Sequence, residues 1–209
     1  MNSTSLEPDV DCALCPRLVD FRVRNQAKFP GFHNGPVKSF GPLNAKTLIV
    51  GLAPGLKGAN CTGRPFTGDG AGELLYPTLI KFNLAKGHYK AAADDGLTLT
   101  TCRITNAVRC VPPENKVIGA ETTACSSFLV AEITAMKNLT TIVSLGLVSH
   151  NAVLKAFGYK LSAYKFVHGA QHDLDNGLVL ADSYHCTRYN TNTGRLTPQM
   201  FEDVFKALI

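Results

Sequence analysis

Residues 47–77 read TLIVGLAPGLKGANCTGRPFTGDGAGELLYP, and the fold turns on how this stretch is interpreted. It opens as an apolar, β-branched strand from Thr47 to Leu52 and then breaks into a loop dense in glycine. Of the chain's 18 glycines, seven fall between Gly51 and Gly72. With no Cβ in the way, backbone there can approach other backbone or a flat ligand closely. Arg64, Phe66 and Asp69 are set among these glycines, so a polar side chain can be aimed at such a ligand. An apolar, helix-like run follows within Gly72 to Lys86, started or kinked near Pro77.

Outward from this stretch the chain alternates. Residues 12–28 predict a short amphipathic helix with Leu18, Phe21 and Val23 among basic side chains, and residues 29–45 a loop rich in Gly, Pro and Phe. A polar linker (Ala91 to Gly96) leads to a second strand near Thr101 to Val108, which Pro112 and Pro113 end. A helix over Ala120 to Lys137 precedes a third strand, Thr140 to Leu145, closed by Gly146. Another helix covers Val148 to Phe157. Residues 162–175 hold a short extended piece, and the fourth strand is Gly177 to Asp182. The last helix spans Thr197 to Ile209 with Thr197 as N-cap. Strand and helix in alternation predict an α/β fold: a mostly parallel, four-stranded sheet covered on both faces, hence three layers, α/β/α. The chain is expected to be a single domain over 1–209, with the cysteine-bearing segment 1–45 packed on it.

Composition narrows the class. Apolar content of 45% and charged content of 18% exclude a disordered or coiled-coil chain. No apolar run approaches the roughly 20 residues of a membrane helix. MNSTSLEPDV has neither a basic n-region nor an apolar core, so no secretory signal is expected and the protein is expected to be cytoplasmic. A net charge of +5 and a pI near 8.8 suit a polyanionic partner without requiring one.

Seven cysteines is a high count for a chain read as intracellular, and an odd number cannot all pair internally. Cys12 and Cys15 form a C-x-x-C whose thiolates can reach one metal. Cys110 and Cys125 are separated by fourteen residues. Cys61, Cys102 and Cys186 stand alone. For a four-cysteine site both zinc and an iron–sulfur cluster are allowed, with zinc the default on spacing.

In open α/β sheets a ligand sits beyond the carboxyl ends of the strands. Those ends carry Gly51-Leu52-Ala53-Pro54-Gly55, then Asn106 to Cys110, then Gly146, then Ser183-Tyr184-His185. Asp69, Asn106 and His185 are therefore expected to converge on one edge, where a carboxylate, an amide and an imidazole can hold a small planar ligand. The loop has neither G-x-x-x-x-G-K-[ST] nor G-x-G-x-x-G, which argues against a nucleotide-phosphate or dinucleotide site.

Four motifs in order carry a family resemblance: GLAPG; N-x-TGR-x-FTGD; ITNAVRCVPPEN; and SYH-x-x-R-x-NTNTGRLT. Together they resemble the iron–sulfur uracil-DNA glycosylases, in the branch called family 5 or type b, from Cys12 to the final helix. The resemblance implies a glycosylase α/β/α fold and a [4Fe–4S] cluster on Cys12, Cys15, Cys110 and Cys125, displacing the zinc default. It implies DNA containing uracil, or another deaminated base such as hypoxanthine, as substrate, and a monomeric enzyme that leaves an abasic site. Asp69 then corresponds to the catalytic carboxylate, His185 to the donor on the uracil oxygen and Asn106 to the reader of the base edge. Phe66 would stack on the base, with Gly51, Ala53 and Gly55 completing the pocket. Arg188, Tyr189 and Arg195 fall in a wedge segment, Cys186 to Arg195, that would meet DNA. Arg17, Arg22, Arg24 and Lys28 form a second basic face suited to phosphate. The chain departs from the family at Cys61, where Arg is expected, and at Cys186-Thr187, where His-Pro-Ser is usual. GLAPG also lacks a polar residue that many relatives carry, which shifts the catalytic burden to Asp69. A non-catalytic iron–sulfur or zinc DNA-binding module of the same fold is the alternative reading.

Overall fold

The computed structural model of the chain describes residues 5–208. The first four residues of the expected N-terminal segment, and Ile209 at the end of the expected last helix, lie outside the described residues. Helix α1 (Pro16–Lys28) precedes strand β1 (Thr47–Gly51), the one-turn helix α2 (Ala59–Thr62) and helix α3 (Gly70–Lys81). Two short strands, β2 (Ala85–Lys86) and β3 (Thr98–Leu99), pair antiparallel. Then come β4 (Cys102–Asn106), α4 (Gly119–Ala135), β5 (Thr141–Leu145) and α5 (Leu147–Ala156). The chain closes with β6 (Gln171–Asp173), β7 (Val179–Ser183), α6 (Arg188–Asn192) and α7 (Pro198–Lys206).

The main sheet has five strands in the order β4-β1-β5-β7-β6. The four parallel strands fall where the apolar runs predict them. The count of four is corrected by β6, a short edge strand antiparallel to β7. Its sequence, Gln171-His172-Asp173, has no apolar alternation to announce it, as is common for an edge strand whose outer side faces water. The chain leaves β1 toward β4 and then returns past it to β5, so strand order reverses around β1. A ligand crevice is expected at that reversal, outside the carboxyl ends.

Alternation along the strands feeds two cores. Ile49, Ile104 and Val143 pack with Leu75 and Leu79 of α3 and with Phe201 and Phe205 of α7. Leu48, Val50, Ile142 and Leu180 face the other way, onto Leu129 of α4 and Val153 and Leu154 of α5. Successive strand residues point to opposite faces, which gives helix, sheet and helix as three layers.

Helix α3 begins at Gly70, earlier than its apolar run suggests, because Asp69 caps it: Ala71 N–H donates to Asp69 Oδ1 at 3.1 Å. Pro77 lies inside the helix rather than at its start. Thr197 caps α7 as expected, accepting from Met200 N–H at 3.2 Å. Helix α1 starts later than residue 12 and turns Leu18, Arg22 and Asn25 inward, while Val23 is exposed.

The N-terminal segment is clamped to the sheet by charge. Glu7 accepts from Arg103 Nη2 at 3.1 Å and from Arg109 Nη1 at 2.8 Å. Glu132 of α4, fully buried, faces the same two cations, accepting from Arg103 Nε at 2.5 Å and Arg109 Nη2 at 2.7 Å. Two arginines thus alternate with two carboxylates around β4. Removing one charge from such a buried set strands the others. Glu132→Gln is expected to destabilise the fold by about 3–5 kcal/mol in urea titrations, the range for breaking a buried ion pair.

Candidate active site

Strand β1 ends at Gly51, in register with Asn106 at the end of β4. A Cβ on Gly51 would overlap Asn106 Oδ1 and the Phe66 ring, so the glycine lets amide and ring meet over bare backbone. Gly51 therefore stands behind the pocket and does not line it. Asp69 turns its other carboxylate oxygen onto Gly55 and Gly58: a Cβ at Gly55 would lie 2.9 Å from Oδ2, and one at Gly58 would overlap it. From β7 the chain passes through Tyr184 to His185, whose ring stacks on Phe66 with centroids 5.8 Å apart and planes at 25°. Asp69, Asn106, His185 and Phe66 line one pocket with Ala53 and Gly55. It holds about 250 Å³ of unfilled space, part of it open to solvent.

The electrostatics suit a polar ligand with an apolar ring. Burial pushes the His185 imidazole down to about 4, so it is neutral near pH 7. His185 Nδ1 is buried and has no hydrogen-bond partner among the described residues. Burial raises the Asp69 carboxyl, while the N–H groups of Ala71 and Gly72 and the nearby Arg188 pull it back down. Asn106 is 3% exposed, and among the described residues its side-chain amide makes no hydrogen bond. Donor and acceptor are both free for a base edge.

Tyr89, just before the polar linker, and Asp95 within it hold this loop in shape, and neither was singled out in the sequence. Phe66 adopts φ +53°, a left-handed conformation rare for an aromatic residue. Tyr89 Oη donates to the Phe66 carbonyl at 3.3 Å and accepts from Gly68 N–H at 3.4 Å. Arg64 donates to both oxygens of Asp95 at 2.8 Å and to Thr67 Oγ1 at 2.8 Å. Its guanidinium lies against the rings of Phe40, Tyr76 and Tyr89 at 5.2, 5.3 and 6.0 Å. Arg64 is therefore a buried brace and not a ligand contact. The only sequence signal for Asp95 is its place in a polar linker, because its partner lies 31 residues away.

Asp182, the fully buried residue three places before His185, anchors the exit of β7. It accepts from Ser144 Oγ at 2.7 Å, and it pairs with His150 Nδ1 at 2.8 Å and His172 Nε2 at 3.0 Å.

The three side chains expected to meet DNA are all exposed. Tyr189 is 73% exposed, on the one-turn helix α6 rather than a loop. Arg188 is exposed but paired with Glu73, at 2.8 and 3.0 Å, and its stem lies flat on Gly70, where a Cβ would overlap it. Arg195 is exposed over the Tyr184 ring at 4.6 Å. The basic face expected on α1 is corrected. Arg22 is buried, and Arg17 donates to Glu121 at 2.7 and 3.0 Å, leaving Arg24 and Lys28 in solvent.

Cys12, Cys15, Cys110 and Cys125 line a second cleft, between α1, the segment after β4 and α4, holding about 330 Å³ of unfilled space partly open to solvent. All four are free thiols. Burial pushes the Cys15 and Cys110 thiols up, to about 11 and about 12, and the neighbouring cysteines add to the rise. A cationic core would reverse that penalty. Cys61, Cys102 and Cys186 take no part in this cleft.

A carboxylate, a neutral imidazole and an unpaired amide gather at the switch point of a parallel sheet, with a four-thiol cleft beside them, the layout of a ligand-binding α/β enzyme. The sequence profile of the Uracil DNA glycosylase superfamily matches residues 38–209. The chain is 43% identical over 198 residues to a "Type-5 uracil-DNA glycosylase" of Thermus thermophilus, covering 92% of this chain and 90% of that protein. It is 38% identical over 201 residues to one of Pyrobaculum aerophilum, covering 94% and 87%. A third, of Mycobacterium leprae, is 40% identical over 203 residues, covering 93% and 89%. The chain belongs to the uracil-DNA glycosylase superfamily, in its type-5 branch.

Holding the 64–69 turn depends on an ionised Asp95, whose carboxyl the Arg64 guanidinium keeps well below its ordinary value of 3.8. A carboxyl depressed on folding stabilises the fold above its unfolded value and loses that contribution as pH falls through the folded one. Asp95→Asn is expected to lower the melting temperature near pH 7. The gap between the two proteins should close as the pH is brought below about 4, as measured by paired thermal melts.

Proposed function

We propose that this protein excises uracil from DNA by hydrolysing the N-glycosidic bond of an extruded nucleotide, and that the pocket shared by Asp69, Asn106 and His185 performs the reaction. The observation that carries this reading is the gathering of those three side chains, from loops far apart in sequence, around one opening. A target base is unreachable inside a duplex, so it must be flipped out at a cost of a few kcal/mol. Tyr189, exposed on α6, wedges into the stack that the base leaves. Arg188 and Arg195 hold the flanking phosphates, Arg188 exchanging Glu73 for phosphate on the way.

Bond cleavage puts positive charge on the sugar and negative charge on the departing base. Asp69 stands on the sugar side as an anion and orients the attacking water. The His185 ring donates a hydrogen bond to the base oxygen where charge collects. A neutral donor already desolvated by the protein needs no rearrangement at that moment. Asn106 reads the pyrimidine edge with one donor and one acceptor, and Phe66 stacks on its face. Because no hydrogen bond among the described residues commits the Asn106 amide, a second deaminated base such as hypoxanthine is also accepted. The enzyme acts as a monomer in the cytoplasm; among the described residues no helix is long and apolar enough to cross a membrane.

Cys12, Cys15, Cys110 and Cys125 hold a [4Fe–4S] cluster. The cleft that these four cysteines line supports this reading. When bound, the cluster supplies a cross-link between α1, the exit of β4 and α4.

Incubation of a uracil-containing duplex followed by hot alkali should break the strand at uracil. Binding without breakage would leave only the non-catalytic DNA-binding module. Under single-turnover conditions Asp69→Asn is expected to abolish excision, and His185→Ala to slow it about 10²–10³-fold, the cost of losing one such donor. If His185 acts as a neutral donor, its own titration lies near 4 and should leave no step in the rate profile between pH 5 and 8. The purified protein should be brown and contain iron. A colourless protein with one equivalent of zinc would contradict the cluster.

A further inference from the structure

Helix α1 turns one stripe inward, Leu18, Arg22 and Asn25, at the i, i+4, i+7 spacing of a single helical face. Leucine suits that stripe, whereas an arginine there is costly unless opposite charge faces it. The chain's other buried arginines obey this rule: Arg64 meets Asp95, and Arg103 and Arg109 meet Glu132. Arg22 departs from it. It is 7% exposed and lines the four-cysteine cleft. Its Nη2 donates to the Cys12 carbonyl at 3.1 Å, and Nη1 is buried with no hydrogen-bond partner. No carboxylate among the described residues pairs with it.

We infer that Arg22 is the charge partner of the cluster, with Nη1 donating to a cluster or cysteinyl sulfur. The inference rests on the iron–sulfur reading given above. Four thiolates outweigh the positive charge of an iron–sulfide core, so the assembled group is an anion. An orphaned guanidinium donor beside four thiols is the arrangement that such an anion needs. Two consequences follow. Arg22 retains the cluster by offsetting its buried negative charge. It also favours the reduced state, because one-electron reduction adds further negative charge next to a fixed cation.

Arg22→Gln and Arg22→Lys, compared with wild type, separate the possibilities. With iron content established first, loss of the cluster's visible absorbance in a chelator is followed in time, and the reduction potential is measured by spectroelectrochemical titration. Arg22→Gln is expected to bleach about 10-fold faster, the lower end of the range for losing an outer-shell partner. Its potential should move to more negative values, with Arg22→Lys lying between it and wild type. Wild-type bleaching and potential in Arg22→Gln would overturn the inference. So would faster bleaching at an unmoved potential, which would reduce Arg22 to a support for the Cys12 main chain. Should Arg22→Gln fail to fold, pulsed electron paramagnetic resonance of the reduced wild-type protein, grown with nitrogen-labelled arginine, decides the matter without a variant. A guanidinium coupling to the cluster is expected there, and its absence would overturn the assignment. A wild-type protein isolated without iron is a different failure: it removes the cluster itself and is seen before any variant is made.

Discussion

Asp69 reaches the pocket because nothing but hydrogen stands on the α-carbons of Gly55 and Gly58. A methyl group at either position would collide with the carboxylate or crowd it, and the rest of the site depends on that clearance. The same holds at Gly51, where bare backbone admits both the Asn106 amide and the Phe66 ring. Asp69 and Asn106 are thus packed against main chain, where they have little room to move. Their placement is set by the sheet beneath them and not by loop flexibility.

Burial then sorts the two titratable groups. The imidazole loses its charge because it is desolvated without a counterion, whereas the carboxylate keeps partial support from the start of α3 and from Arg188. On the proposed reading, a neutral donor on one side and a carboxylate supported by helix N–H groups on the other is the polarity that a departing anionic base and a cationic sugar require.

Much of this was legible in the chain. The parallel strands announced themselves as short apolar runs ending in glycine or polar turns, and the rule that ligands gather at carboxyl ends brought Asp69, Asn106 and His185 together. What escaped was everything whose meaning depends on a distant partner. Asp95 looks like any linker acid until Arg64 is placed against it. Glu7 looks like tail until Arg103 and Arg109 are seen behind it. Arg22 was grouped with the solvated cations of α1 because charge alone does not report which stripe of a helix is buried. Strand β6 falls within the extended piece expected over residues 162–175, but its place in the sheet was not legible, because three polar residues carry no apolar period.

The two sites are physically continuous, and the continuity gives the cysteine cleft a place in the chemistry. Past the ends of their strands, β1 and β4 stay zipped together: Ala107 N–H donates to the Gly51 carbonyl at 2.9 Å and Val108 N–H to the Leu52 carbonyl at 3.0 Å. Asn106 therefore faces the pocket while Cys110, four residues on, faces the cleft. Ala53 lines the pocket and also packs against the apolar cluster around Cys125. Arg109 N–H donates to Cys125 Sγ at 3.4 Å, and the Arg109 side chain reaches Glu7 and Glu132. A group that binds the four thiols would consequently tie down the segment that presents the Asn106 amide. Its influence on excision would run through the position of Asn106 and Ala53, with no electron required to pass between the sites.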